Sequence, residues 1–212
     1  MIDRVQAHLE SIYGITCDAR AEVFLVDTEA ALQLGATGRA EEELLVHEGE
    51  ELELALYLAP ALLHRLKPYE SGPVGFVLEH ELEGFCQLAE GVSHFVYVAH
   101  TASHERTVTL LELEAQAEVD KFALCLLYRW GDGVGAWARE LRGRLFDQVS
   151  YRTRLSEDER WRYEEANRLS RNFCSRLMGH VTARRLERLL SELRYAYRLG
   201  AEAKLRHFAQ VF

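Results

Sequence analysis

Glu114 and Glu118 stand one helical turn apart in the segment LLELEAQAEVDKFALCLL, with Lys121 three residues further on. Upstream, Glu90 and His94 share the same four-residue spacing in LAEGVSHF. Plotted at about 100° per residue, the stretch from Val108 to Trp130 leaves one narrow polar arc, occupied by Glu112, Gln116 and Asp120. Glu114 and Glu118 fall in the apolar remainder, on the stripe of Leu111, Phe122 and Cys125. Like charges at this spacing repel, and a carboxylate withdrawn from water without a partner costs on the order of several kcal/mol, so something must compensate.

Three compensations are open. Glu118 can pair with Lys121 or with an arginine from the C-terminal half while Glu114 reaches the edge of a bundle. A divalent metal can sit among Glu90, His94, Glu114 and Glu118, an oxygen-rich set with one imidazole. Two close carboxylates can also split their proton affinities, leaving one as acid and one as base, with Lys121 orienting a carboxylate or neutralising an anionic substrate. The spacing matches neither the Glu-x-x-His of carboxylate-bridged bundles nor the His-Glu-x-x-His of zincins. His80-Glu81 is followed by Gly84, which does not complete a zincin helix. Glu90 and His94 also lie opposite the apolar stripe of their own helix, beside Glu83 and Gln87, where a solvated face explains them unless a second layer covers it.

The elements that must position these residues follow from hydrophobic period. Asp3 to Tyr13 reads as a helix, and Ala21 to Asp27 as a short strand. In Glu51 to Leu58, leucines alternate at period two, and Glu42 to Glu48 is the natural hairpin partner. Pro60 opens a short helix at the first-turn position that suits proline. Ser71-Gly72-Pro73 is the cluster of strong breakers in the middle of the chain and suggests a soft boundary, giving a small α/β part over 1–72 and a helical bundle over 73–212. Leu78, Leu82, Phe85, Ala89, Val92, Val96 and Ala99 mark one helix of about six turns. Val108 to Trp130 marks another, and Ser156 with Glu159 forms a capping-box start for a third, through about Met178. Thr182 starts a further helix that Gly200 stops. The fold class expected is α+β, predominantly α: about three short strands, then five or six helices.

Charge divides the chain. Residues 1–120 hold 23 acidic against 6 basic side chains, and residues 121–212 hold 11 against 19, so a net −9 conceals −17 followed by +8. Such polarity steers a molecule toward partners of opposite sign or toward its own other half. From Arg152 to Arg206, 13 of the 14 basic residues are arginine, whose planar fork suits carboxylate and phosphate. On the helix from Ala183 to Leu199, Arg184, Arg188, Ser191, Tyr195 and Arg198 share one face, opposite Leu186, Leu189, Leu193 and Ala196. That face suits a protein partner, a second copy of the chain or, less well because Glu187 and Glu192 interrupt it, a nucleic-acid backbone.

The remaining motifs carry less. Gly131-Asp132-Gly133-Val134-Gly135 follows a helix rather than a strand and lacks the Lys-Ser or Lys-Thr of a phosphate loop, so it reads as an interhelical loop. Cys17, Cys86, Cys125 and Cys174 are too far apart for a zinc knuckle and read as reduced, buried thiols. Neither an N-terminal leader nor a membrane-length apolar run is present, which points to a soluble, cytoplasmic protein without a membrane partner. Three functions follow as expectations, the third being nucleic-acid binding by the basic C-terminal helices. One is a charge-polarised binding or adaptor protein acting through protein contacts. Its rival is a metal-dependent or acid-base enzyme, hydrolase-like, whose cofactor would be a divalent metal.

Overall fold

The computed structural model describes residues 1–49, 52–149 and 155–211, apart from the side chain of Glu48. Glu51, at the head of the alternating leucine pattern, and Arg152, at the head of the arginine-rich tract, lie outside the described residues. The chain forms two compact units, one of Met1–Ser11 with Ile15–Arg106, the other of Ile12–Gly14 with Thr107–Phe212. The Ser71-Gly72-Pro73 break falls inside the first unit. Formal charge follows this division: 19 acidic against 6 basic residues in the first, 15 against 19 in the second, which is −13 and +4. No described helix is long and apolar enough to cross a membrane.

The first unit begins with α1 (Ile2–Tyr13), all but its last two residues lying in that unit. Most of the expected strand at Ala21 is instead a 3-10 turn, Ala21–Phe24, because the backbone N–H of Ala21 donates to the Gln6 side chain, 2.8 Å away. That side chain in turn donates to the Ala19 carbonyl, and only β1 (Leu25–Val26) remains extended. After α2 (Thr28–Gln33), β2 (Glu42–Glu48) and β3 (Leu52–Leu58) form the antiparallel hairpin read from the sequence, in register from Glu42 opposite Leu58 to Glu48 opposite Leu52. β1 joins β3 in parallel, giving the order β1-β3-β2.

Two short helices, α3 (Pro60–Leu66) and α4 (Val74–His80), precede α5 (Leu82–Ala102). The single six-turn helix expected from Leu78 to Ala99 is thus two, since Glu81 leaves helical geometry at φ −143°, ψ 47°. The sheet packs on α5, and Gly91 permits it: a Cβ there would lie 3.1 Å from Leu58, 3.3 Å from Leu56 and 3.3 Å from the Cβ of Glu42. The face of α5 that reads as solvated is therefore covered, and Ser93, His94, Phe95, Tyr97 and Val98 are all buried.

The second unit is helical throughout its described residues. α6 (Leu110–Leu127) starts at a capping box made by Thr109 and Glu112. The glycine loop is followed by α7 (Val134–Arg142), which the sequence reading missed; Gly133 enters it at φ 78°, a left-handed geometry that glycine adopts without strain. α8 (Glu157–Thr182) starts at the expected Ser156–Glu159 box and packs along α6. α9 (Leu186–Arg198) starts later than expected, after Arg184 turns the chain at φ 50°. Gly200 then begins α10 (Ala201–Ala209), which adds to the five or six helices expected.

Candidate carboxylate and imidazole site

The ionisable groups of α5 and of α6 meet different surroundings. In the first unit, α5 carries Glu90 and His94 on adjacent turns, and a carboxylate oxygen of one lies within 4.8 Å of a ring nitrogen of the other. Two ligands of a single ion with bonds of about 2.0–2.2 Å stand no more than about 4.4 Å apart, so small side-chain movements would bring both to one cation. His94 is only 6% exposed.

The structure adds a residue that the sequence reading passed over. Glu42, the first residue of β2, places its Oε2 3.6 Å from His94 Nδ1, within ion-pair range and beyond hydrogen-bond length. That oxygen is closed to solvent and accepts no hydrogen bond among the described residues. A carboxylate left so poorly satisfied is costly, and such groups concentrate where a missing ligand, a proton or a substrate completes the site. Gly91, between Glu90 and His94, lets the strand approach closely enough to put Glu42 there. Beside this cluster Arg65 of α3 binds both oxygens of Glu41, at 2.9 and 3.1 Å, and also reaches Glu81 and Gln87. The Glu41 pairing is the main cause that raises the Arg65 pKa.

In the second unit, Glu114 and Glu118 lie on α6 beside basic groups. Glu118 accepts from Lys121 Nζ at 2.9 Å, and Glu114 lies 3.8 Å from Arg162 Nε of α8. The Glu118–Lys121 pair is the one that the structural compensation calls for, whereas Glu114, expected at the edge of a bundle, instead stands beside an arginine.

The polar arc of α6 forms a buried network that its spacing alone does not reveal. Glu112, Gln116 and Asp120 do not face water: they are 0, 2 and 1% exposed. Gln116 Nε2 donates to Asp120 Oδ1 at 2.7 Å and to the Tyr13 hydroxyl at 3.2 Å, and the Tyr13 hydroxyl itself donates to Asp120. Lys204 of α10, fully buried, donates to Gln116 Oε1 at 2.8 Å, stands 3.9 Å from Glu112 and lies 5.4 Å from the centroid of the Tyr197 ring. Tyr197 stacks on Tyr13 at 3.9 Å. Burial first, then the Asp120 charge, holds the Tyr13 phenol well above the ordinary tyrosine range. Burial, then the charges of Glu118 and Asp120, does the same to the Cys174 thiol, which is therefore no nucleophile at neutral pH. All four cysteines are free and buried.

Of the face assigned to partner binding, Arg188, Tyr195 and Arg198 are exposed on α9 over buried Leu189, Leu193 and Ala196. Arg184 precedes the helix and pairs with Asp132 at 2.9 Å. The Tyr195 ring meets His207 of α10 edge-on, with centroids 5.4 Å apart. Arg176 of α8 donates to the carbonyls of His207 and Gln210, at 2.7 and 2.9 Å. No family model, no curated protein and no solved structure matches this chain.

Proposed function

We propose that the first unit binds a divalent metal through Glu90 and His94, and that this centre performs hydrolytic or acid-base chemistry. The observation that carries the reading is Glu42 beside His94. Glu42 Oε2 stands 3.6 Å from Nδ1 of this buried imidazole, so a shift of some tenths of an ångström on metal binding would let Nδ1–H donate to it and leave Nε2 as the ligand, the arrangement typical of metal-binding histidines. One imidazole with carboxylate oxygens suits zinc, manganese or iron(II) better than calcium. Two protein ligands leave positions for water, substrate or further side chains. An ion held there would lower the proton affinity of its bound water toward neutrality.

The test is metal analysis of protein purified without chelators, followed by titration of the stripped protein with Zn²⁺ and Mn²⁺. The reading expects near-stoichiometric binding that His94→Ala abolishes. Absence of binding by any of these ions, with His94→Ala altering stability alone, would remove it.

A second reading rests on a different observation, the −13 and +4 charges of the two units. It takes the chain as a binding or adaptor protein whose contacts with other proteins are electrostatically steered. Its signature is association that weakens as salt rises from about 20 to 300 mM, where the screening length falls several-fold. Sedimentation showing no complex at low salt, with itself or with an added polyanion, would count against it.

A further inference from the structure

We infer that the outer face of α9 is a docking surface for an acidic protein segment, with Arg188 and Arg198 as its charged contacts and Tyr195 as its apolar one. This rests on the second reading above and names the surface through which it acts.

The arginines of the second unit differ in how they are paired. In the second unit Arg162, Arg168, Arg171, Arg184 and Arg206 each have a carboxylate within 4.0 Å, and Arg194 holds the Ile12 carbonyl. Arg188 and Arg198 have no ion pair or side-chain hydrogen bond among the described residues, although Glu192 stands four residues after Arg188 and Glu202 four after Arg198. Glu202 is instead engaged by Arg206 at 3.3 Å. Two guanidinium groups on one exposed helical face thus keep their forks unused, as do Arg139, Arg160 and Arg185 elsewhere in the unit; Arg188 and Arg198 differ in sharing a face with an exposed aromatic ring.

Between them stands Tyr195, 56% exposed, its ring held edge-on by His207. An aromatic ring fixed in place loses little conformational freedom on binding, and tyrosine and arginine are the types most enriched at interface hot spots. Leu189, Leu193 and Ala196 are buried on the opposite side, so packing fixes which face points outward. Arg188 and Arg198, ten residues apart, are separated by about 15 Å along the axis, the length of about three turns of a partner helix or some five residues of an extended strand.

Charge complementarity selects carboxylates over a phosphate backbone. Glu187 and Glu192 flank the arginines on the same helix. A nucleic-acid strand lays evenly spaced charges along its path and would meet both acids. A polypeptide can place its carboxylates opposite Arg188 and Arg198 and neutral residues opposite the glutamates.

Binding of a fluorescein-labelled 16-residue Glu-rich peptide to the full chain, followed by anisotropy at about 20 mM salt, tests the inference, with a 16-nucleotide thymidine strand run in parallel. The peptide should bind tighter than the oligonucleotide. Arg188→Ala with Arg198→Ala should weaken it about tenfold, as expected for two bidentate rim contacts. Tyr195→Ala should weaken it several-fold with little change in salt dependence, and Arg206→Ala, which removes a paired arginine, should leave it within twofold. Peptide binding that survives the double substitution would overturn this surface while leaving the binding-protein reading intact. Tighter binding of the oligonucleotide would make the face a nucleic-acid site instead. No binding of either probe would remove both the surface and the reading beneath it. Thermal melts of each variant separate loss of contact from loss of fold.

Discussion

The buried polar clusters around His94 in the first unit and around Gln116 in the second obey the same physics with opposite outcomes. Around Gln116 each group whose bonds are described above meets a partner of matching type: Lys204 gives to the amide oxygen, the amide nitrogen gives to Asp120, and Tyr13 gives to Asp120 as well. Such closed chains polarise one another and tie a core to a single arrangement. Around His94 the set is incomplete, with a Glu42 oxygen shut from water and 3.6 Å from the imidazole. A satisfied network is architecture, whereas an unsatisfied one is where a protein keeps room for something else.

The largest effect expected from this contrast is in the second unit. Lys204→Met removes the ammonium and leaves Glu112 and Asp120 in the interior without it, which should cost about 3–5 kcal/mol in urea unfolding. A cost below about 1 kcal/mol would mean that the network is not what holds α10. Tyr13→Phe, which deletes one donor to Asp120, should cost about 1–3 kcal/mol. Gly91→Ala sharpens the comparison from the other side. Its Cβ would crowd Leu58, Leu56 and Glu42, so about 1–3 kcal/mol of strain is expected. Metal affinity should fall with it as Glu42 is pushed from His94. Glu42→Gln should leave stability within about 1 kcal/mol of the parent, because it removes a charge that lacks a hydrogen bond, yet weaken metal binding by about 10–100-fold.

The smallest effect concerns pH. Burial, then the neighbouring Arg176, lowers the His207 pKa below its ordinary 6.5, and Arg176 Nη2 sits 3.1 Å from its Nε2. A histidine kept neutral by the fold contributes stability that is fully present above the unfolded pKa of about 6.5 and is lost as pH falls through 6.5 toward the folded value. Acidification from pH 7.5 to 5 should therefore destabilise the native chain somewhat more than it does His207→Gln. Parallel slopes in the two proteins would show that this imidazole does not titrate with folding.

What was legible in the sequence follows from the range of the forces involved. The β2–β3 hairpin, the capping box at Ser156 and the buried face of α9 depend on neighbours within a few residues, and their periodicity announces them. The α4–α5 break was hidden because the apolar stripe continues through Glu81. Glu112, Gln116 and Asp120 read only as a polar arc, not as a buried network, because their partners are far away in the chain: Lys204 lies 88 residues from Gln116, and Tyr13 lies 107 from Asp120. Glu90 and His94 were visible as a spacing, but Glu42 was only one of three successive glutamates. Its place beside the imidazole depends on Gly91, a residue that signals nothing until the sheet lies across it.

The split of α1, whose last two residues with Gly14 belong to the helical second unit, limits how that unit can be isolated. A fragment cut at Thr107 would contain every helix from α6 to α10 and still lack a phenol-sized piece of its own interior. Tyr197 would lose the ring stacked on it, and Asp120 would lose a donor. Residues 12–14 supplied in trans as part of a short peptide spanning α1 are what such a fragment would need to close.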